Sequence, residues 1–160
     1  MHHDTLHRSL ATELGTWLRT LRGWTHFGTF TFWPYAPHPE TGLGPARLAL
    51  TDVGPSEAAT RRCWERYTRR VSRTAGLQIG WFVAFEPGCL LGRRHIHALL
   101  SDAAAVPPEQ ARRLWKVGRS EVEVYDVRRG AAYYLAKFAG QEFADWDVGG
   151  SLVKRAKRLS

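Results

Sequence analysis

The chain has 160 residues, and 23 lysines and arginines against 15 aspartates and glutamates give it a formal charge of +8. This length fits a single globular domain and leaves no space for a second catalytic or motor domain. Without a long apolar run or a signal-peptide pattern, we expect an intracellular, cytoplasmic protein with no membrane partner. Its two cysteines, Cys63 and Cys89, exclude a disulfide framework. The surplus positive charge favours a polyanionic partner.

The predicted elements alternate between helix and strand along the chain. Leucines at helical spacing predict an opening helix that Gly23 ends, and alternating Thr and aromatic residues predict a strand after it. A loop rich in Pro and Gly then precedes a helix with Ser56 as its N-cap and Gly76 as its stop. The predicted ranges are helix 4–21, strand 24–33, loop 34–45, helix 57–75, strands 77–86 and 93–101, helix 107–117, strand 121–127 and helix 130–138.

Without the first and last helices, this order is βαββαβ. It predicts an α+β fold with an RRM-like or ferredoxin-like core, a central antiparallel sheet, and added N- and C-terminal helices. We expect one domain over residues 1–160, with its core at about 24–140 and a basic tail at about 151–160.

The third strand of this core carries His95 and His97, and the strand before it ends at Glu86. A separation of two along a strand places both imidazoles on one face, as two ligands of one metal require. If the two strands form a hairpin, the Glu86 carboxylate can lie close to the two imidazoles. Two imidazoles and one carboxylate suit Mg²⁺ or Mn²⁺, although imidazole also suits zinc. A pair of structural histidines and a surface glutamate is the alternative.

The last predicted helix carries Tyr133, Tyr134 and Lys137. Tyr134 and Lys137 are three residues apart and share a helix face, where a nearby cation favours the phenolate form of tyrosine. Tyrosine is a known covalent nucleophile, and Tyr133 is also within reach of Lys137. Spacing of this kind also arises by chance, so the tyrosine–lysine pair is informative mainly in combination with the histidines of the third strand.

His-x-His on a strand followed by Tyr-x-x-Lys on a helix resembles the HUH endonucleases, specifically the rolling-circle replication initiator (Rep) proteins. The segment 29–32 resembles the first Rep motif, 95–97 the second, and 134–137 the third, in the family's order. The resemblance spans roughly residues 24–140. It implies an enzyme that nicks and rejoins single-stranded DNA at an origin hairpin of a plasmid or phage, with help from Mn²⁺ or Mg²⁺.

The same resemblance implies a role for each motif residue. His95 and His97 would be metal ligands with Glu86 as the third, Tyr134 the nucleophile that forms a 5′-phosphotyrosine link, and Lys137 a positioner of the phosphate or of metal-bound water. The family's motif spacing selects Tyr134 over the alternative nucleophile Tyr133. Many Rep proteins carry a helicase, so a chain of this length would need a host helicase.

Strand parity yields a DNA-binding hypothesis for the first strand. Thr29 and Thr31 share a face, which would floor the DNA channel beside the histidines, with Arg93 and Arg94 at its edge. Three tryptophans are candidates either for the core or for base stacking: Trp33, Trp81 and Trp115.

Two other interpretations remain. The chain can be a non-catalytic RRM-like module that holds single-stranded nucleic acid by charge and stacking. It can also be a transposase relative within the HUH superfamily, whose tyrosine likewise follows the histidines.

Overall fold

The computed structural model describes residues 12–21, 23–32, 36–37, 45–46, 55–86, 94–130, 132, 135 and 145–153. Within them, residues 12–20 form helix α1, a 3₁₀ turn spans Val127–Arg129, and residues 151–153 form a helical turn. The remaining elements are strands β1 (Trp24–Thr31), β2 (Ala36–Pro37) and β3 (Pro45–Ala46), helix α2 (Glu57–Ala75), strands β4 (Gly80–Glu86) and β5 (His95–Ser101), helix α3 (Pro108–Leu114), and strands β6 (Ser120–Val124) and β7 (Asp145–Gly150).

Five of these strands form an open antiparallel sheet in the order β6-β1-β5-β4-β7. The predicted α+β class and the central antiparallel sheet are therefore confirmed. So is the hairpin-like pairing of β4 with β5, in which Glu86 lies opposite His95. None of the helices in the described ranges is long and apolar enough to cross a membrane.

The first face of the sheet packs against α2 and α3 and is filled by aromatic rings, and we call it the aromatic face. Phe30 is fully buried there, with its ring centroid 4.8 Å from that of Tyr67 and 5.5 Å from that of Trp64. Gly28 makes room for this ring, because a Cβ at position 28 would lie 2.7 Å from the Phe30 Cε2 atom. Alternation along β1 thus directs the Phe30 ring into the main core.

The second face carries a smaller apolar cluster and, beside it, the two strand histidines; we call it the histidine face. Its fully enclosed members come from α1, from β4 and β5, and from the segment after the 3₁₀ turn: Leu18, Phe82, Ala84, Leu99, Ala132 and Leu135. Ala132 and Leu135 are both helical. These two residues therefore pack on this second face.

An irregular pairing at the start of β1 changes the predicted face of one residue. The register between β1 and β5 shifts between Trp24 and His26, so Thr25 is the extra residue of a bulge. Parity predicts that Trp24 shares a face with Phe30, and this is wrong, because Trp24 packs with Phe27 in the cluster of the histidine face. From His26 onward the predicted alternation holds, with His26, Gly28 and Phe30 buried.

Strand β7 was absent from the predicted elements. Its sequence holds two aspartates and two glycines, which are depleted in strands, so local propensity gives no signal. Tertiary contacts stabilise it instead: Arg61 on α2 pairs with both Asp145 and Asp147. Gly150 has a φ of 66°, and a Cβ there would lie 1.9 Å from the carbonyl oxygen of Ile79. Only glycine fits this approach.

The two ends of α2 agree with its predicted caps. The Ser56 side chain accepts a hydrogen bond from the backbone N–H of Ala59, and Gly76 adopts the left-handed conformation with a φ of 73°. Several strands and helices are shorter than predicted, and the loop at 34–45 contains the short paired strands β2 and β3. Of the predicted final helix, 130–138, only residues 130, 132 and 135 are among the described residues.

Candidate metal centre

The register of the sheet places the two histidines among polar neighbours on adjacent strands. His95 lies opposite Thr31 on β1 and Glu86 on β4. His97 lies opposite Thr29 and Ala84. Directly opposed residues of antiparallel strands point to the same face, so all these side chains belong to the histidine face. The predicted sharing of one face by His95, His97, Thr29 and Thr31 is what this register produces.

Glu86, His95 and His97 form a compact group of metal-ligating side chains. One ligand atom from each, an imidazole nitrogen or a carboxylate oxygen, lies within 4.8 Å of the other two. The Nε2 atom of His97 is 3.2 Å from Oε2 of Glu86, and the two imidazole centroids are 6.5 Å apart. Glu86 and His95 are half-buried, and His97 is buried. The described residues thus contain a candidate His/His/Glu metal-binding group.

The environment of His97 favours an uncharged imidazole. Burial lowers the pKa of His97 below the usual histidine value, and this effect outweighs the hydrogen bond and the negative charge of Glu86, which raise it. A neutral imidazole has one nitrogen with a free lone pair, which is the form that binds a metal.

Thr29 fixes the other side of the His97 ring. Its Oγ1 atom is 3.2 Å from His97 Nδ1, while Nε2 of the same ring faces Glu86. In one tautomer of His97, Nε2–H donates to the Glu86 carboxylate and the Thr29 hydroxyl donates to Nδ1. In the other, Nδ1–H donates to the Thr29 hydroxyl, and the Nε2 lone pair and the Glu86 carboxylate face a position that a cation can occupy. Two imidazoles and one carboxylate are a donor set that fits a divalent cation held by Glu86, His95 and His97.

The contact from Thr29 to His97 is a feature that sequence reasoning missed. Strand parity placed Thr29 on the correct face but could not say which side chain lies opposite it, because that depends on the register between β1 and β5. Thr31, two residues on, makes a different contact: its hydroxyl donates to the carbonyl oxygen of Arg119 at 3.3 Å. The two threonines therefore have different surroundings despite their shared face.

The other predicted DNA-binding residues are only partly described. Arg94 is half-buried, and its Nε atom has no hydrogen-bond partner among the residues that the structure describes. Arg93 lies outside the described residues. Trp115, a stacking candidate from the sequence, is instead a core residue: it is 4% exposed, and its Nε1–H donates to the Thr31 carbonyl oxygen at 2.9 Å.

Tyr133, Tyr134 and Lys137 lie outside the described residues. The described residues beside them, Ala132 and Leu135, are buried in the cluster that includes Ala84, the residue opposite His97.

Comparison of the chain with protein-family models, with curated proteins and with solved structures finds no match.

Proposed function

We propose that this protein is a metal-dependent endonuclease of the HUH type that nicks and rejoins single-stranded DNA through a tyrosine, as a rolling-circle replication initiator does. The observation that carries the proposal is the compact group of Glu86, His95 and His97, with ligand atoms within 4.8 Å of one another at one end of two paired strands. The formal charge of +8 adds a general attraction for a polyanion.

The strand order supports the finer fold assignment that the proposal needs, a ferredoxin-like core. Strand β5 lies between β1 and β4, and α2 connects these two outer strands along the chain. A split βαβ unit has this arrangement. In our proposal, β7 is then an addition at the β4 edge of that core.

The segment that follows the 3₁₀ turn supports Tyr134 as the nucleophile. Ala132 and Leu135 belong to the apolar cluster on the histidine face, together with Ala84. Ala132 and Leu135 thus lie on the side of the sheet that carries Glu86, His95 and His97, and we propose Tyr134, which lies between them in the chain, as the nucleophile. Tyr133 remains the alternative nucleophile.

In the proposed reaction, the Tyr134 phenolate oxygen attacks the phosphorus of the scissile phosphodiester in line. A Tyr–O–P bond forms, the bond from phosphorus to the 3′ oxygen breaks, and that oxygen leaves as a 3′-hydroxyl after taking up a proton. Lys137 lowers the cost of the phenolate and holds a non-bridging phosphate oxygen. Attack by the 3′-hydroxyl on the phosphotyrosine reverses these bonds and rejoins the strand.

Three side chains would hold the divalent ion, for which we propose Mn²⁺ or Mg²⁺: Glu86, His95 and His97. When bound, such an ion polarises the scissile phosphate and stabilises the charge that develops on it. Thr29 orients the His97 ring toward this position, and neutral His97 supplies its lone pair without losing a proton first.

The proposal is tested by incubating the full chain with labelled single-stranded oligonucleotides that bear origin-type hairpins, with Mn²⁺ or with EDTA. We expect an adduct that survives denaturation in Mn²⁺ but not in EDTA. It should persist in Tyr133→Phe and fall to background in Tyr134→Phe. His97→Ala should abolish both Mn²⁺ binding and adduct formation, because it removes one of three ligands.

Each alternative predicts a different result. A binding module predicts DNA binding that ignores EDTA and forms no adduct. An adduct that survives Tyr134→Phe but not Tyr133→Phe would move the nucleophile by one residue. Adduct formation on transposon-end sequences in place of origin hairpins would favour a transposase relative.

A further inference from the structure

An exposed tryptophan lies on the histidine face, near the candidate metal centre. Trp146 on β7 is directly opposite Ala84 on β4, which is directly opposite His97 on β5. Two strand spacings of about 4.8 Å put the Trp146 backbone about 10 Å from that of His97. The three residues point to the same side of the sheet because each faces its neighbour across an antiparallel pair.

The indole of Trp146 packs against a buried ring and is partly exposed to solvent. Its ring stacks on that of Phe82, with centroids 5.7 Å apart and an angle of 28° between the planes. Phe82 itself is fully buried, whereas Trp146 is 43% exposed. A large aromatic ring held against a buried ring, with its surface open to solvent, is suited to stacking a flat ligand.

The two edges of the histidine face, at β6 and at β7, differ in their acidic side chains. Glu121 and Glu123 on β6 lie opposite Thr29 and Phe27, are exposed, and border a cavity of about 210 Å³ with them. Arg129 pairs with Glu123 at 2.5 Å, and Arg112 also lines this cavity. No ion pair among the described residues includes Glu121, whose charge repels a DNA phosphate.

At the β7 edge, the acidic side chains lie on the other face of the sheet. Asp145 and Asp147 are paired there with Arg61 of α2. Among the described residues, a phosphate backbone that leaves the metal centre therefore meets fewer acidic side chains of this face on the β7 side than on the β6 side.

From this placement we infer that Trp146 is a nucleobase-stacking site for the single-stranded DNA that the metal centre cleaves, so that the strand runs from His97 toward β7. This inference rests on the proposed function, which it extends by naming a base contact and a direction. Stacking recognises the flat face that every base presents, so the contact holds a strand in place without reading its sequence.

The test measures binding of the full chain to short fluorescein-labelled single-stranded oligonucleotides. Binding is monitored by fluorescence anisotropy, in EDTA and in Mn²⁺. Trp146→Leu keeps apolar bulk but removes the aromatic surface, and Trp146→Tyr keeps an aromatic ring. Trp17→Leu is the matched control, because Trp17 is 40% exposed and lies on α1. Loss of one base–aromatic stack predicts binding about 10-fold weaker in Trp146→Leu, and near-normal binding in Trp146→Tyr and Trp17→Leu.

Oligonucleotides with one abasic position moved along the strand locate the contact. At one position the wild-type protein and Trp146→Leu should bind equally, because the base that stacks is missing for both. Equal binding of wild type and Trp146→Leu to every intact strand would overturn the inference. So would an equal loss in Trp17→Leu.

The same samples separate this inference from the proposed function. An adduct in wild type with no effect of Trp146→Leu on binding overturns the stacking site and leaves the nickase standing. Weaker binding in Trp146→Leu without an adduct in wild type supports the base contact and overturns the nickase. If the wild-type protein does not bind single-stranded DNA, both the stacking site and the nickase are overturned. The exposed Trp146 would then be assigned to contact with a protein partner.

Discussion

The two faces of the sheet are built from the same strands but differ in what covers them. On the aromatic face, Phe30 is enclosed by Trp64, Tyr67 and Trp115, with ring centroids 4.8 to 5.5 Å away. On the histidine face, the apolar cluster around Phe82 covers one part of the strands, and polar side chains occupy the next part. Alternation of side chains along the strands separates the aromatic face from the histidine face. On the histidine face, a further division along the strands separates the apolar cluster from the candidate metal ligands.

Each face also contains a buried histidine, and their surroundings differ. His26 on the aromatic face is 3% exposed and its Nδ1 atom contacts the hydroxyl of Thr25 at 2.9 Å. His97 on the histidine face is 4% exposed but has a carboxylate, Glu86, at its Nε2 atom. Burial lowers the pKa of both histidines. Only His97 combines the neutral form with a neighbouring anionic ligand, so burial of a histidine alone does not define the candidate site.

The largest expected effect is a loss of stability from a substitution on the aromatic face. Phe30→Ala removes the ring that contacts three other aromatics, and should lower the free energy of unfolding by about 3–5 kcal/mol. Urea denaturation measures this, with the exposed Val124→Ala as the control. Mn²⁺ bound per folded molecule should not change. A loss below about 1 kcal/mol would contradict the assignment of Phe30 to the main core.

The second effect concerns metal affinity at the histidine face. Thr29→Val removes the hydroxyl that contacts His97 Nδ1 and should weaken Mn²⁺ binding by about 10- to 100-fold, as loss of a partner to a ligating histidine does. Thr31→Val is the matched control, since it lies on the same strand and face but contacts the Arg119 carbonyl. Isothermal titration measures both. Equal affinities in the two variants would mean that Thr29 does not orient the ligand.

The smallest effect is the pH dependence of stability. Because His26 and His97 have lowered pKa values in the folded chain, the unfolded chain binds more protons as the pH falls below the usual histidine value of 6.5. Stability in EDTA should therefore be constant above that pH and decrease below it. His26→Gln should reduce the decrease, as followed by urea denaturation at several pH values. A stability that rises on acidification through this range would contradict neutral buried histidines.

Much of the fold could be predicted because its signals are local. The cap at Ser56, the stop at Gly76 and the alternation of β1 after His26 each depend on a few neighbouring residues. Strand β7 could not be predicted, because its pairing with β4 and the contacts of Arg61 come from residues distant in the chain. The bulge at Thr25 was missed for the same reason.

The candidate site divides in the same way. His95 and His97 were placed on one face by the two-residue period of a strand, and the hairpin prediction brought Glu86 to them. Thr29 as the partner of His97 and Trp146 as a neighbour of the centre needed the register of three strand pairs.

By itself, then, the sequence determined which side chains of β1 alternate from His26 onward and where α2 begins and ends, and it indicated that the excess of basic residues favours an anionic partner. Tertiary structure decided which strands are neighbours and in what register, because those pairings join residues such as Thr29 and His97 that are far apart along the chain. A strand carries its own period in its sequence, but the side chain that lies across from it is set only when the sheet forms.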